Sequence, residues 1–263
     1  MSDREADGTR PDRGVPAAAR GSIGAEAAHA PHRHAIFACP ARDDALTALA
    51  ARWLGHDPWT GQSVKHPSVE RIKTWTEAPR RYGLHGTIIA PFRRAPGIEP
   101  EAVDGALQDF AAEQAPIPLP LSVGRLGPFF ALVPQGESDA LRVMEARAVR
   151  HFHPLRAEPG DAEIARRNPE RLSERQRELL RRWHYPFVLD EFRFHMTLTG
   201  PIEDGEAARV ADALARHFSR DVLNGFTLDA LARYDEPAPG APFRIVRRVP
   251  FEAPVPDPHE RPR

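Results

Sequence analysis

The sequence HGTIIAPF at positions 85–92 decides the fold, because it recurs as HMTLTGPI at positions 195–202. The two motifs align without a gap as His, any residue, Thr, a branched aliphatic residue, any residue, a small residue, Pro and an apolar residue. This pattern is typical of a β-strand that ends at a proline. Side chains two apart on a strand point to the same face, so each motif presents an imidazole and a hydroxyl together.

The elements around the two motifs recur in the same order. Apolar runs at 33–38 and 129–134 predict a strand before each motif, and a helical spacing of apolar residues follows each run. A further helix and strand follow each motif, and the last two strands, 226–234 and 243–251, are predicted to form a hairpin. The two histidines are 110 positions apart. This offset is too long for a solenoid repeat and fits a duplicated lobe.

We therefore expect one α+β domain, residues 32–252, built from two pseudo-symmetric lobes. The lobes are expected to run from about 32 to 125 and from 126 to 252, each with an antiparallel sheet and packed helices. The active-site cleft is expected between them, where the two motifs face each other. Residues 153–185 are predicted to be a helical insertion that the first lobe lacks.

The composition fits a globular protein and excludes several other classes. The 263 residues include 41% hydrophobic residues, enough for a core. Lys and Arg total 36 against 37 Asp and Glu, so no overall field attracts nucleic acid or an anionic membrane. No apolar run approaches the ~20 residues of a membrane span. The single cysteine, Cys39, excludes an internal disulfide and a multi-cysteine metal site, and we expect a cytoplasmic location.

The two ends of the sequence are predicted to be tails. Residues 1–31 carry charges scattered through Gly, Ala and Pro without a continuous apolar stretch. That composition is unlike a signal peptide and is typical of a disordered segment. Residues 253–263 contain four prolines and are expected to be flexible.

A pair of histidines suits a reaction in which one proton is removed and another is delivered. An unperturbed imidazole has a pKa near ~6.5, so one ring can be neutral while the other is cationic. Cleavage of a phosphodiester needs this division, because a base activates water or a hydroxyl and an acid protonates the departing alkoxide. The hydroxyls of Thr87 and Thr197 can donate hydrogen bonds to phosphoryl oxygens. The scheme requires no metal and no other cofactor.

Three residues near the motifs are candidates for substrate binding. Arg193 lies two positions before the second histidine and Arg81 four positions before the first, so a continuous strand would place each on the histidine's face. A guanidinium can hold phosphate through two hydrogen bonds. Gly83, at the intervening position, would leave room for a ligand. Tyr82 is a weaker candidate, because strict alternation points it away.

The stretches RRYGLHGT at 80–87 and EFRFHMTLTG at 191–200 resemble the two-histidine (2H) phosphoesterase superfamily, which includes bacterial RNA-ligase-like and cyclic phosphodiesterase enzymes. They resemble more closely its branch of phosphonate-metabolism-associated proteins of unknown function. The resemblance extends from about Arg33 to Phe251 and includes WHYP at 183–186. A single His-x-Thr is weak, whereas two in shared surroundings are a strong signal.

The resemblance implies a bilobal α+β fold with a central cleft, His85 and His195 as acid and base, and both threonines as phosphate ligands. It also implies a small phosphorylated substrate, such as a 2′,3′-type or sugar cyclic phosphate linked to phosphonate metabolism. A nucleotide or an RNA end would fit the same chemistry. No stable protein partner and no membrane are expected. The pattern does not assign which histidine is the base.

Two other functions remain open at this stage. The same cleft could bind nucleotides or RNA without catalysis. A His-based metallohydrolase is suggested by the His-x-His sequences at 32–34 and 151–153, although neither has an obvious third ligand. The arginines between 166 and 182 could contact a nucleic-acid backbone, but their interleaved glutamates favour a solvated helix face.

Overall fold

The computed structural model describes residues 33–254, which form a mixed structure of helices and antiparallel strands. The strands are β1 (Arg33–Ala38), β2 (His56–Asp57), β3 (Gln62–Ser63), β4 (Gly86–Phe92), β5 (Ile117–Pro118), β6 (Leu121–Leu126), β7 (Phe129–Pro134), β8 (Met196–Thr197), β9 (Thr227–Leu228), β10 (Ala230–Glu236) and β11 (Arg244–Pro250). The α+β class predicted from the sequence is confirmed at this level. The predicted tails, 1–31 and all but two residues of 253–263, lie outside the described residues.

The helices are α1 (Ala45–Leu54), α2 (Ile72–Trp75), α3 (Glu77–Arg80), α4 (Pro100–Ala112), α5 (Asp139–Phe152), α6 (Asp161–Ala165), α7 (Glu174–Trp183), α8 (Asp204–His217) and α9 (Arg220–Asn224). Their ends follow local sequence rules. The Asp44 carboxylate accepts a hydrogen bond from the Leu46 amide at the start of α1, and Gly55 ends that helix at φ 73°. None of the helices between residues 33 and 254 is both long and apolar enough to cross a membrane.

The main sheet has seven strands in the order β11-β10-β1-β4-β8-β7-β6, and its pairs are antiparallel. The strands that carry the two motifs, β4 and β8, are therefore neighbours near the middle of one sheet. The long strands that follow the two motif strands are exchanged between the sequence halves. β6, from the first half, pairs with β7 of the second half, and β10, from the second half, pairs with β1 of the first half.

This topology differs from the expectation of one sheet for each lobe. The boundary expected between 125 and 126 falls inside β6. Only Gly127 and Pro128 separate β6 from β7, and Gly127 has φ 57°. A two-residue connection joins antiparallel neighbours, so the end of the first half is held against the start of the second. The two halves therefore share a continuous sheet.

The two faces of the sheet are packed differently. On one face, alternate residues such as Ile88, Leu132 and Met196 are buried with helices α4, α5 and α8 in the main core. The other face carries a smaller cluster built around Phe37 and Tyr234, against which Trp59 and other aromatic residues pack. Because Thr87 pairs with Phe37, the hydroxyl of the first motif lies on this second face.

The strand of the second motif is shorter than the sequence pattern predicts. The amides of Leu198 and Thr199 both donate to the carbonyl oxygen of Phe130, at 2.9 and 3.2 Å, so the chain leaves the ladder after β8. The Trp53 indole nitrogen donates to the carbonyl oxygen of Leu198 at 3.0 Å. The buried Trp53 side chain of α1 therefore fixes the segment after β8, which has no further ladder hydrogen bonds to hold it in place.

Residues 153–185 contain α6 and α7, and this segment is attached to the chain just after β4. Ser173 and Gln176 form a capping box at the start of α7, whose Leu179 and Leu180 are buried. Arg94 and Arg156 form an isolated antiparallel bridge. The insertion therefore lies beside the strand that carries the first motif.

The contact between Gly86 and Phe194 gives a test of this arrangement. A Cβ atom at position 86 would lie 2.5 Å from the Phe194 ring, which is buried in the main core. We expect Gly86→Ala to lower the free energy of unfolding by about 1–3 kcal/mol, because the packed ring must move. Urea denaturation measures the change.

Gly105→Ala is the matched control. Gly105 lies on the exposed side of α4, with open space where its Cβ would be. Alanine there should stabilise the protein by up to about 1 kcal/mol. Equal unfolding free energies for the two variants would contradict the close approach of Phe194 to β4.

Candidate active site

The pairing of Gly86 with Met196 determines where the polar side chains of the two motifs lie. In an antiparallel pair, the residue before one partner lies opposite the residue after the other. Each histidine therefore lies opposite the threonine of the other motif. The resulting cross-strand pairs are His85 with Thr197 and His195 with Thr87.

These four residues, which we call the His–Thr quartet, share the second face of the sheet. All four are half-buried, whereas Gly86 and Met196 between them are buried. Directly opposite side chains have Cβ atoms about 4.5–5.5 Å apart, and diagonal neighbours are about 7–8 Å apart. The two imidazoles occupy one diagonal and the two hydroxyls the other. A group the size of phosphate can contact all four.

Both imidazoles are oriented by the same backbone hydrogen bond. Nδ1 of His85 donates to the carbonyl oxygen of Gly83 at 3.0 Å, and Nδ1 of His195 donates to that of Arg193 at 2.8 Å. A carbonyl oxygen only accepts, so the proton of the neutral ring is on Nδ1. Nε2 of each ring then carries the lone pair that can take a proton, and it has no protein partner among residues 33–254.

The first histidine is enclosed by aromatic rings. The centroid of the His85 ring lies 4.1 Å from that of Phe37, 5.3 Å from that of Tyr82 and 6.3 Å from that of Tyr234. Burial among these rings lowers the pKa of His85 to about 4, and the charge of His195 acts in the same direction. His85 is therefore neutral near pH 7.

The second histidine has more open surroundings. The ring of His195 has Phe129 as its aromatic neighbour, at 5.7 Å between centroids. In the second motif, Thr197 pairs with the small residue Ala131 of β7, whereas in the first motif Thr87 pairs with the large residue Phe37 of β1. Two motifs of equal pattern thus have unequal environments.

Arg193 is exposed and lies outside a strand, since β8 begins at Met196. Its carbonyl oxygen orients His195. Burial still alternates from Arg193 through the buried Phe194 to His195, as the sequence predicts. Within the described part of the chain its guanidinium makes no hydrogen bond or ion pair, so it can take an anion.

Arg81 and its neighbours differ from the sequence prediction. Helix α3 extends to Arg80, so period-two alternation does not apply there. The Arg81 guanidinium forms an ion pair with Glu236. Gly83 has φ 67°, and a Cβ there would lie 2.6 Å from the Pro58 ring. The sequence predicted that Gly83 would leave room for a ligand, but the Pro58 ring fills that space.

Tyr82 is closer to the site than strict alternation implied. Its ring stacks on that of Phe243, with centroids 4.8 Å apart, and borders His85. The sequence pattern missed Phe37 and Phe129, which flank the two imidazoles. Positions 35–38 of this strand are all apolar, so alternation alone did not mark which of their side chains face the motif.

The His-x-His sequences do not form a metal cluster in the part of the chain that the structure describes. No group of three or more His, Cys, Asp or Glu side chains is placed to hold an ion there. His34 bonds to the Asp235 carboxylate at 2.7 Å, and His151 bonds through Nε2 to the carbonyl oxygen of Ala106 at 2.8 Å. His32 lies outside the described residues.

Two histidines and two threonines thus lie together at the start of the central strands β4 and β8 of an antiparallel sheet, and they form the candidate site of this protein. The chain belongs to the family described as "Protein of unknown function (DUF1045)", whose model matches residues 87–244. The matched region contains Thr87, His195 and Thr197, and it begins two residues after His85.

Two relatives share similarity over most of this chain. A protein of Janthinobacterium sp. (strain Marseille) is 34% identical over 229 residues, which cover 83% of this chain and 51% of the relative. A protein of Laribacter hongkongensis (strain HLHK9) is 31% identical over 223 residues, covering 82% of this chain and 51% of the relative. Both are named ribose 1,5-bisphosphate phosphokinase PhnN. The chain therefore spans about half the length of these relatives.

A buried carboxylate holds the segment that leads to the second motif. The Glu145 carboxylate of α5 accepts hydrogen bonds from the Leu189 amide at 3.1 and 3.3 Å. Leu189 has φ 56° and begins the 3-10 turn Leu189–Glu191. Burial raises the pKa of Glu145 to about 7.

The pKa of Glu145 predicts a dependence of stability on pH. The native state holds a proton that the unfolded state releases above its ordinary pKa of 4.5. The free energy of unfolding should therefore fall as pH rises from about 5 to 7, and level off above. Glu145→Gln keeps an acceptor without the charge, so it should match the wild type at pH 5 and exceed it by about 1–3 kcal/mol at pH 8.

Urea denaturation at pH 5 and pH 8 measures this difference. Glu113→Gln, at an exposed glutamate that pairs with Arg147, is the control and should follow the wild type at both pH values. Parallel curves for the wild type and Glu145→Gln would show that Glu145 does not titrate in this range.

Proposed function

We propose that the protein is a metal-independent phosphoesterase of the 2H type that cleaves a 2′,3′-type or sugar cyclic phosphodiester by two-histidine acid–base catalysis. The proposal rests on the Gly86–Met196 pairing, which sets the two imidazoles on one diagonal of the quartet. Their matched Nδ1 hydrogen bonds leave both Nε2 atoms without a protein partner among residues 33–254, and the two rings are close enough for the charge of His195 to act on His85. This is the arrangement that in-line displacement at phosphorus requires of a base and an acid.

His85 is the base in this mechanism. Its Nε2 removes a proton from a water molecule, whose oxygen attacks phosphorus. The bond from phosphorus to the leaving oxygen breaks, and Nε2–H of His195 gives its proton to that oxygen. The lowered pKa of His85 keeps it in the accepting form. The bound phosphate's negative charge favours the imidazolium that forms and so offsets the cost of burial.

The threonines and Arg193 supply hydrogen-bond donors for the non-bridging oxygens. Both hydroxyls lie on the diagonal that crosses the one between the imidazoles, so they can contact the equatorial oxygens that gain or redistribute charge. Arg193 is exposed beside His195, and a guanidinium strengthens such contacts. Arg81 supports the site through Tyr82, because its guanidinium lies 5.6 Å from the centre of that ring.

The names of the relatives favour a phosphorylated sugar as the substrate. Those proteins are named for a kinase that acts on a ribose bisphosphate. This chain's 263 residues contain no Gly-x-x-x-x-Gly-Lys-Ser/Thr sequence, the loop with which P-loop kinases hold a nucleotide triphosphate. We infer that this chain acts on a related sugar phosphate of phosphonate metabolism.

Substitution of each histidine tests the mechanism. His85→Ala and His195→Ala should each lower kcat by about 10²–10⁴-fold, because each removes one proton transfer. The double variant should lose little more than either single one, since the two act as a unit. Turnover is measured on a panel of nucleoside and ribose cyclic phosphates. His151→Ala, at an exposed histidine on α5, should retain full activity.

Full activity in either motif variant would overturn the mechanism. Tight binding of the panel without any product would favour the non-catalytic nucleotide binder. Activity lost to a chelator and restored by a divalent ion would favour a metallohydrolase.

The pH profile tests the assignment of His85 as base. Because its pKa is lowered to about 4, kcat/KM should decline only as pH falls towards 4, and not near 6.5. Phe37→Leu removes one of the aromatic rings that bury the His85 imidazole. The pKa of His85 should then rise, and the acidic limb of the kcat/KM profile should move to higher pH. An acidic limb that lies well above pH 4 in the wild type and is unchanged by Phe37→Leu would contradict the assignment of His85 as base.

A further inference from the structure

A cavity of about 230 Å³ lies beside the first motif and is lined by six arginines and one glutamate, among other residues. The arginines come from β1, from the end of α3, from the loop after β4 and from the insertion. They are Arg33, Arg81, Arg93, Arg156, Arg166 and Arg167. The positive charges of clustered guanidinium groups repel one another unless anions compensate them. Negatively charged groups in or near the cavity therefore stabilise it.

The carboxylates nearby compensate only part of this charge. Glu163 pairs with Arg93 at 2.9 Å and with Arg166 at 3.9 Å. Glu236 forms ion pairs with both Arg33 and Arg81. Arg156 and Arg167 have no carboxylate partner within residues 33–254. The cavity thus keeps an excess of positive charge.

Arg156 is the most unusual member of this group. It is 6% exposed, and its Nε is buried without a hydrogen-bond partner among the described residues. Burial, together with the charge of Arg167, lowers the pKa of Arg156 to about 10. Nδ1 of His184, which also lines the cavity, is likewise buried and unpartnered in the described structure. Buried donors without partners carry a free-energy cost that a bound anion removes.

The cavity and the His–Thr quartet adjoin each other. Tyr82 lines the cavity, and the centre of its ring is 5.3 Å from that of His85. Pro91, also in the lining, is four residues after Thr87 on β4, which is about 13 Å along a strand. One small substrate can therefore reach both places.

We propose that this cavity binds a phosphomonoester on the same sugar whose cyclic phosphodiester is held by the His–Thr quartet. The inference rests on the proposed function and narrows its substrate class to sugars or nucleotides that carry two phosphoryl groups. The planar guanidinium groups match phosphate oxygens. A volume of about 230 Å³ is below the roughly 300–1,000 Å³ of pockets for whole ligands, so the cavity fits one such group.

Two matched substrates test the inference. Uridine 2′,3′-cyclic phosphate and its 5′-phosphorylated form differ only in the phosphomonoester. The wild type should cleave the 5′-phosphorylated form with a kcat/KM about 10- to 100-fold higher, chiefly through KM, as expected of one charge-assisted contact. Arg167→Gln, at a half-exposed position, and Arg156→Lys, which keeps the charge but loses the planar fork, should reduce this ratio.

Arg142→Gln is the control, because Arg142 lies on α5 and pairs with Glu137 and Asp139. It should leave the ratio unchanged. A wild-type ratio near one, or a ratio that neither cavity variant lowers, would overturn the inference. Thermal melting of each variant identifies any that fails to fold. If Arg156→Lys fails to fold, Arg167→Gln still tests the inference.

A binding measurement separates this inference from the proposed catalysis. Inorganic phosphate is titrated calorimetrically into the wild-type chain of 263 residues, Arg167→Gln and His85→Ala. The cavity variant should bind phosphate at least about tenfold more weakly, while His85→Ala should keep one phosphate site. If no cyclic phosphodiester is cleaved but Arg167→Gln weakens phosphate binding, the anion site stands and the catalytic proposal fails. Equal phosphate affinity in the wild type and Arg167→Gln would overturn the anion site.

Discussion

The pairing of β4 with β8 is the constraint on which the other features of the site depend. One residue pair, Gly86 with Met196, joins the two strands and decides which histidine faces which threonine. A slip by one position would turn the polar side chains towards the helices and bury them in the apolar core. Few ladder bonds hold this register, so packing must hold it. The Phe194 ring occupies the space where a side chain at position 86 would lie, and the Trp53 indole donates a hydrogen bond to the chain just beyond β8.

The two motifs have the same pattern but meet different neighbours, and this difference separates their chemistry. His85 lies against Phe37 and Tyr82, and the low polarity there favours its neutral ring. His195 lies at the more open half of the same face, with Phe129 as its aromatic neighbour. In the proposed mechanism, the surrounding strands therefore distinguish the base from the acid, although the motif itself is the same in both.

The sequence predicted the local features well and the long-range pairing poorly. The repeated His-x-Thr pattern is a short-range signal, and the helix caps that the structure shows at Asp44 and Ser173 also depend on residues a few positions apart. The exchange of β6 and β10 depends on which strands meet in space, and a repeat in sequence does not encode that. The arginine-lined cavity was missed for the same reason, since Arg33 and Arg156 are far apart in the chain and meet only in the folded sheet.

The exchanged strands also affect how the chain can be made. β1 pairs with β10, so Arg33 finds its partner Glu236 only after some 200 further residues have been added. At about 5–20 residues per second, that takes roughly 10–40 s, during which one edge of an apolar strand has no neighbour. Neither sequence half holds a complete set of strands, and neither can finish a sheet alone. The two sequence halves carry a repeated motif yet depend on each other to complete the sheet, and until β10 is made the open edge of β1 is a place where nascent chains can aggregate.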